Sequence, residues 1–211
     1  MVLRRAGVSR VLQAAAGDWP AMAEELAQLL PAPGQLWPQL WPRLRLAVRV
    51  ADCWVRHFLL EPPAGGASLR DCRLLLAARF EALYGDSAAG WLLRADWQAG
   101  RPMLACAMPR SLRQALDGWP LASLAPVLLA DWNRHCAVLP DTGAWCGSGD
   151  GMHNLLYWEQ GRLRVVRQQR GGDAEALLAL ELARLGVDMP LQRFAAGDAA
   201  PDGWRRMELA A

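Results

Sequence analysis

Leu44-Arg45-Leu46-Ala47-Val48-Arg49-Val50-Ala51-Asp52-Cys53-Trp54-Val55-Arg56-His57-Phe58-Leu59-Leu60 is the stretch on which the fold turns. Its first half alternates Leu44, Leu46, Val48 and Val50 with Arg45, Ala47, Arg49 and Ala51, the period of two that a strand with one buried face requires. The second half is again strand-like, and Ala51-Asp52-Cys53 between the halves is small and acidic, so the whole reads as a hairpin. A second hairpin is read from Met152 to Glu159, a Gln160-Gly161 turn, and Leu163, Val165 and Val166 set among Arg162, Arg164 and Arg167. Two sheets, or two halves of one, are seeded in this way.

Working outward, Ser68 opens a helix with Asp71 at capping-box spacing, its stripe is Leu69, Cys72, Leu76, Phe80 and Leu83, and Gly85 follows as a left-handed cap. Trp91 to Asp96 and Pro102 to Ala107 flank a Gln98-Ala99-Gly100 turn as a further hairpin, and a short helix through Leu112 and Leu116 stops at Gly118. Ser123 is read as the cap of a helix bearing Leu124, Leu128 and Trp132. Gly171-Gly172-Asp173 starts a helix with Leu178, Leu182 and Leu185, and a last strand covers Leu191 to Phe194. Residues 1–43 read as an appendage: two short helices, the first with Val8, Val11, Leu12 and Ala15 on one face, then the tandem Gln35-Leu36-Trp37-Pro38 and Gln39-Leu40-Trp41-Pro42, a stiff arm carrying two tryptophans. The expected organisation is this arm followed by an α/β domain over 44–211, with lobes of about 44–120 and 121–211.

Composition narrows the chemistry. Of 211 residues, 53% are hydrophobic and 21% charged, which is the composition of a globular chain. No apolar run is long enough for a membrane span, and no apolar segment follows the basic start as in an export signal, so a cytoplasmic location is expected. All 23 basic side chains are arginine, which closes the lysine-dependent mechanisms: the P-loop, the protein-kinase lysine, the Schiff base and the Ser-Lys dyad. A net charge of +2 with arginines spread along the chain argues against nucleic acid. The five cysteines contain no C-x-x-C pair, and with the three histidines they show no metal-site spacing.

Three motifs have chemical readings. Asp141-Thr142-Gly143 has the letters of an aspartic-protease turn but occurs once, and a loop is the simpler reading. Gly147-Ser148-Gly149-Asp150-Gly151 has backbone N–H groups enough to cradle a phosphate, but Met152 and Asn154 stand where the dinucleotide fingerprint wants glycine, so it reads as a tight strand connection. Arg162, Arg164, Arg167 and Arg170 give the last hairpin a basic edge, suited to an acidic partner or to keeping an exposed strand from pairing.

The order of elements resembles the actin-like architecture of sugar kinases, Hsp70 and actin, an RNase H-like fold. Within it the chain is similar to the type IV pilus assembly protein PilM and the cytoplasmic part of the type II secretion protein GspL. The likeness is carried by Leu44 to Leu60, by Pro102-Met103-Leu104-Ala105-Cys106-Ala107-Met108-Pro109, by Leu121 to Asn133 and by Trp145 to Arg167. It implies two small related lobes and, in ATPases of the family, an Asp-x-Gly phosphate turn in each hairpin with ATP and magnesium between them. The positions it points to are Asp52, Asp141, Gly143, Asp150 and Gly151. In this chain Trp54 stands where the first turn needs glycine, and Asp141-Thr142-Gly143 lies far upstream of Gly161. The implied function is thus a non-catalytic cytoplasmic adaptor, with no cofactor, of a bacterial pilus or secretion platform at the inner membrane. Its implied partners are a segment of an inner-membrane protein or the secretion ATPase, with Arg162, Arg164 and Arg167 as candidate contacts and a homodimer left open. The alternative is an active nucleotide-binding ATPase or phosphotransferase that uses Asp52, Asp141 or Asp150.

Overall fold

The structure, a computed structural model, describes residues 2–5, 8–11, 19–29, 46–63, 65, 67–97, 100–119, 121–188, 191–197 and 201–207. The Gln-Leu-Trp-Pro repeat lies outside the described residues. The strands among them form three sheets.

The second half of the chain builds the widest. β8 (Gly143–Gly149), β9 (Met152–Glu159) and β10 (Arg162–Arg170) form an antiparallel meander, α5 (Ala174–Leu185) crosses over, and β11 (Arg193–Gly197) and β12 (Arg205–Arg206) add in parallel beyond β8. The sheet order is β10-β9-β8-β11-β12, the RNase H-like order. Strand alternation sorts its two faces. Ala144, Cys146, Leu155 and Ala195 meet Ala174, Leu177 and Leu178 of α5, while Trp145, Leu156, Trp158 and Phe194 turn to the opposite face. Both hairpin turns are two-residue connections with positive φ at each position, Asp150-Gly151 (51° and 71°) and Gln160-Gly161 (52° and 68°), as type I′ geometry demands. The second hairpin and the tight glycine connection stand as the sequence predicts.

The first sheet is narrower: β1 (Val2–Arg5), β2 (Val8–Val11), β3 (Leu46–Val50) and β7 (Leu121–Pro126), in the order β2-β1-β3-β7. β1 is antiparallel to β2 and β3, and β3 is parallel to β7. A hairpin, α1 (Trp19–Leu29), then two parallel strands repeat the succession β9, β10, α5, β11, β12. Among the described residues one member has no counterpart: β1 hydrogen-bonds directly to β3, where the larger sheet interposes β8.

Two sequence readings are corrected here. Val2–Arg5 and Val8–Val11 pair as antiparallel strands where a helix through Val8 and Val11 was expected, because β1 pairs with the edge that β3 offers. Leu44–Leu60 is not a hairpin: β3 keeps its alternation, with Leu46, Val48 and Val50 buried, but a 3-10 turn at Asp52–Trp54 sends β4 (Arg56–Leu60) into a different sheet.

That third sheet, β4-β6-β5, contains β5 (Trp91–Ala95) and β6 (Met103–Pro109) and is backed by α2 (Leu69–Tyr84). Ser68 and Asp71 form the predicted capping box, and Gly85 closes α2 at φ 72°. Phe58, Phe80, Tyr84 and Trp91 pack beneath α2 with adjacent ring centroids 5.2 to 6.2 Å apart. β6 is buried on both faces: Met103, Ala105 and Ala107 meet α2, Cys106 and Met108 enter the core of the first sheet, and Leu104 enters that of the larger one. α3 (Arg110–Ala115) follows β6, and α4 (Val127–His135) follows β7. The helix expected from Ser123 begins only after Pro126, because the strand runs through that proline.

Candidate functional site

The ends of the three sheets meet at a cleft assembled around one carboxylate. Asp52 sits in the 3-10 turn at the end of β3, facing the N-terminus of α4. Helix α4 has proline at its N-cap and so no side chain of its own to satisfy its first N–H groups. Asp52 supplies the acceptor from 76 residues away: Leu128 N donates to its two oxygens at 3.1 and 3.3 Å. His57 Nε2 lies 2.9 Å from Asp52 Oδ1. A carboxylate offers only lone pairs, so Nε2 carries the proton. His57 is buried, and its Nδ1 has no hydrogen-bond partner among the described residues. The Asp52 carbonyl accepts from Gln168 Nε2 of β10 at 2.7 Å. One residue thus ties together the ends of all three sheets.

Across from it stands the β8–β9 turn, which brings Asp150 and Gly151 to the same cleft. Asp131 of α4 is the third acid there, 3.5 Å from the Arg49 guanidinium. The cavity they line with Gly147, Ser148 and Gly149 has a volume of about 170 Å³. Of the sequence-predicted site residues, Asp52 and Asp150 line this cleft, and Gly151 follows Asp150 in the turn.

Asp141 and Gly143 are elsewhere, at the far end of β8, about 20 Å away along a seven-residue strand. There the Asp141 carbonyl accepts from Gly161 N at 2.7 Å, and Thr142 Oγ1 accepts from Gln160 N at 3.3 Å, clamping the β9–β10 turn. Gly143 is needed for packing: a Cβ on it would sit 2.8 Å from the Trp158 ring and 3.0 Å from the Gln192 carbonyl.

The residues of this cleft offer little to hold ATP with magnesium. The cleft volume falls below the roughly 300 Å³ at which small-molecule pockets begin. Asp52 already occupies the helix N-terminus that would receive an anion, with a negative charge of its own. Among the described residues no group of three or more metal-ligating side chains is placed to hold an ion. The strand that would carry a phosphate turn in the first lobe has no place between β1 and β3.

The larger concavity lies on the other side of Asp52. β4 and β10 are outermost strands of their sheets and run beside one another, with the C-terminal ends of α2 and α5 as walls. The groove has a volume of about 650 Å³ and is lined by six arginines, Arg56, Arg79, Arg164, Arg167, Arg170 and Arg184, with Glu181 as the one acid. Glu181 is buried and shared, accepting from Arg167 Nε at 3.0 Å and Arg184 Nη1 at 2.6 Å. Arg56 lies over the rings of Tyr84 and Trp91 at 5.8 and 5.9 Å. Burial raises the Tyr84 hydroxyl above the ordinary tyrosine value, an effect the Arg56 charge opposes. Arg164 and Arg167 therefore face this groove, whereas Arg162 lines a separate 350 Å³ pocket with Arg94 and Arg101. Sequence reasoning found the β10 arginines but not Arg56, Arg79 and Arg184, which come from three other elements.

The sequence matches no known family profile and no curated protein. Solved structures do match. A Bacteroides thetaiotaomicron protein of unknown function with an actin-like ATPase fold superposes with a TM-score of 0.57 at 10% identity, over 93% of this chain and 75% of that one. The cytoplasmic domain of EpsL, an inner-membrane component of the Vibrio cholerae type II secretion system, gives 0.55 at 12% identity, over 97% and 79%. The PilM–PilN type IV pilus biogenesis complex gives 0.50 at 18% identity, over 88% of this chain and 62% of that one. The chain therefore has the actin-like ATPase fold, in agreement with the resemblance read from the sequence.

Proposed function

We propose that this chain is a non-catalytic actin-like scaffold that works in the cytoplasm, at the inner face of the inner membrane, in a type IV pilus or type II secretion assembly platform. It receives a segment of a membrane-anchored partner in the groove between its lobes. The observation that carries the reading is Asp52. An ATPase needs the cleft free for phosphate, and here a protein carboxylate is built into that position as the cap of α4. The platform role is supported by the fold shared with the EpsL cytoplasmic domain and with the PilM–PilN complex. No helix among the described residues is long and apolar enough to cross a membrane, so the partner supplies the anchor in this reading.

The catalytic alternative is tested directly. A ligand that binds only the folded state raises the midpoint of thermal unfolding by mass action. Magnesium ATP at millimolar concentration is expected to leave the midpoint unchanged. A rise that disappears in Asp52→Ala would instead assign the chain to the active ATPases. The platform role is tested by crosslinking in the native cell and purification from the membrane fraction. Recovery of inner-membrane pilus or secretion components supports it, and a purely soluble chain with none of them refutes it.

A further inference from the structure

We infer that the groove between β4 and β10 takes an extended, acidic peptide in which carboxylate and apolar side chains alternate. The inference rests on the scaffold reading only in assigning the occupant to a protein partner.

The charge is the first step. Six guanidiniums line the groove with one carboxylate: Arg167 and Arg184 hold that carboxylate, Glu181, and Arg164 lies 3.9 Å from Glu159 outside the lining. Arg79 and Arg170 are exposed and have no carboxylate within 4.0 Å among the described residues. So many like charges in one concavity repel each other, and an anionic occupant relieves that repulsion while accepting paired N–H bonds from each fork.

Shape selects the kind of anion. The groove is concave, so a flat bilayer surface cannot reach its floor. Leu83 and Leu185 sit on its two helical walls, 41% and 40% exposed, so the rim offers apolar contact as well as charge. Both floor strands are sheet edges with no ladder between them and already lie close together, so the occupant is held by side chains. An extended segment turns successive side chains to opposite sides, carboxylates to the guanidiniums and apolar groups to Leu83 and Leu185. β10, nine residues long, sets the reach at roughly 30 Å.

The test uses a fluorescent, end-capped peptide of about eight residues alternating Glu and Leu, a length that matches β10. It is titrated into the full chain by anisotropy, beside its Gln-Leu counterpart, a single-stranded oligothymidylate and phosphatidylglycerol vesicles. The expected results are a Kd below about 100 μM for the Glu-Leu peptide, weakening with salt, and at least tenfold weaker binding of the Gln-Leu peptide. The double variant Arg79→Glu, Arg170→Glu should weaken the Glu-Leu peptide at least tenfold, while Arg94→Glu, Arg101→Glu in the separate pocket should not. Both pairs change exposed side chains, and unchanged far-UV circular dichroism confirms that the variants are folded. No binding tighter than about 1 mM, equal binding of the Gln-Leu peptide, tighter binding of oligothymidylate or vesicles, or indifference to Arg79 and Arg170 would each overturn the inference. None of these results bears on the platform role, which stands or falls on the membrane-fraction crosslinking. Peptide binding by a chain absent from that fraction would sink the role and leave the groove chemistry intact.

Discussion

Asp52 is the residue that the sequence singles out and the structure reassigns. The resemblance to actin-like ATPases points it to phosphate chemistry, but two of its partners, Leu128 N and Gln168, are 76 and 116 positions away and leave no local signal. Asp52→Ala removes the cap of α4 and leaves the His57 Nε2 proton unpaired in a buried ring whose other nitrogen already lacks a partner. The expected loss is about 2 to 3 kcal/mol, a fall of roughly 5 to 10 °C in the unfolding midpoint. Asp52→Asn, which can still accept from Leu128 N, should recover about half of it. Circular dichroism melts of the three proteins decide the matter, and equal midpoints would show that the cap contributes nothing. The cysteines give a second residue-scale expectation. Burial pushes the Cys106 thiol up to about 12 and also raises Cys146, while Cys136 is exposed. A thiol reagent at neutral pH should therefore modify Cys136 quickly and reach Cys106 and Cys146 only after unfolding.

At the level of elements, periodicity reported what each strand is and was silent on what it pairs with. β3 has the predicted alternation, yet its neighbours are β1 and β7 and not β4, because hydrogen-bond partners are chosen by tertiary context. The strand at Leu121–Pro126 did leave a signal: the residue before a proline is steered away from helix, which placed the boundary at Pro126 and not at Ser123. α2 was legible in its cap and its closing glycine, which are local, while of its stripe only Leu76 and Phe80 are buried and Leu69 and Leu83 stand exposed. Two predictions belong here. Phe80→Ala, at 0% exposure beneath α2, should cost about 3 to 5 kcal/mol. Gly143→Ala should cost about 1 to 3 kcal/mol because Trp158 and the Gln192 carbonyl leave no room for the methyl group. Urea titrations measure both, and a neutral Gly143→Ala would mean that the Trp158 ring can shift.

For the molecule as a whole, β6 decides how the parts behave together. Its side chains enter three of the four buried clusters, so those cores cannot be loosened one at a time without disturbing the others. The expected outcome is one cooperative transition, with tryptophan fluorescence and far-UV circular dichroism falling together, and Met108→Ala should move both to the same lower midpoint. Two separated transitions would show that the sheets are independent units. The recurrence of hairpins was read from the wrong pair: Met152–Arg170 forms one, but its counterpart is β1 with β2 and not Leu44–Leu60, and the inequality of the sheets left no signal, since strand count is a property of pairing.

That inequality has a consequence for descent. A worn catalytic loop can be restored by exchanging a residue or two, because the scaffold that presents it survives. With β1 bonded straight to β3, the first lobe has, among the described residues, no ribbon on which such a loop could be hung. For the scaffold proposed above, gaining hydrolysis would take insertion of an entire strand together with the rupture of an existing ladder, which no point change supplies.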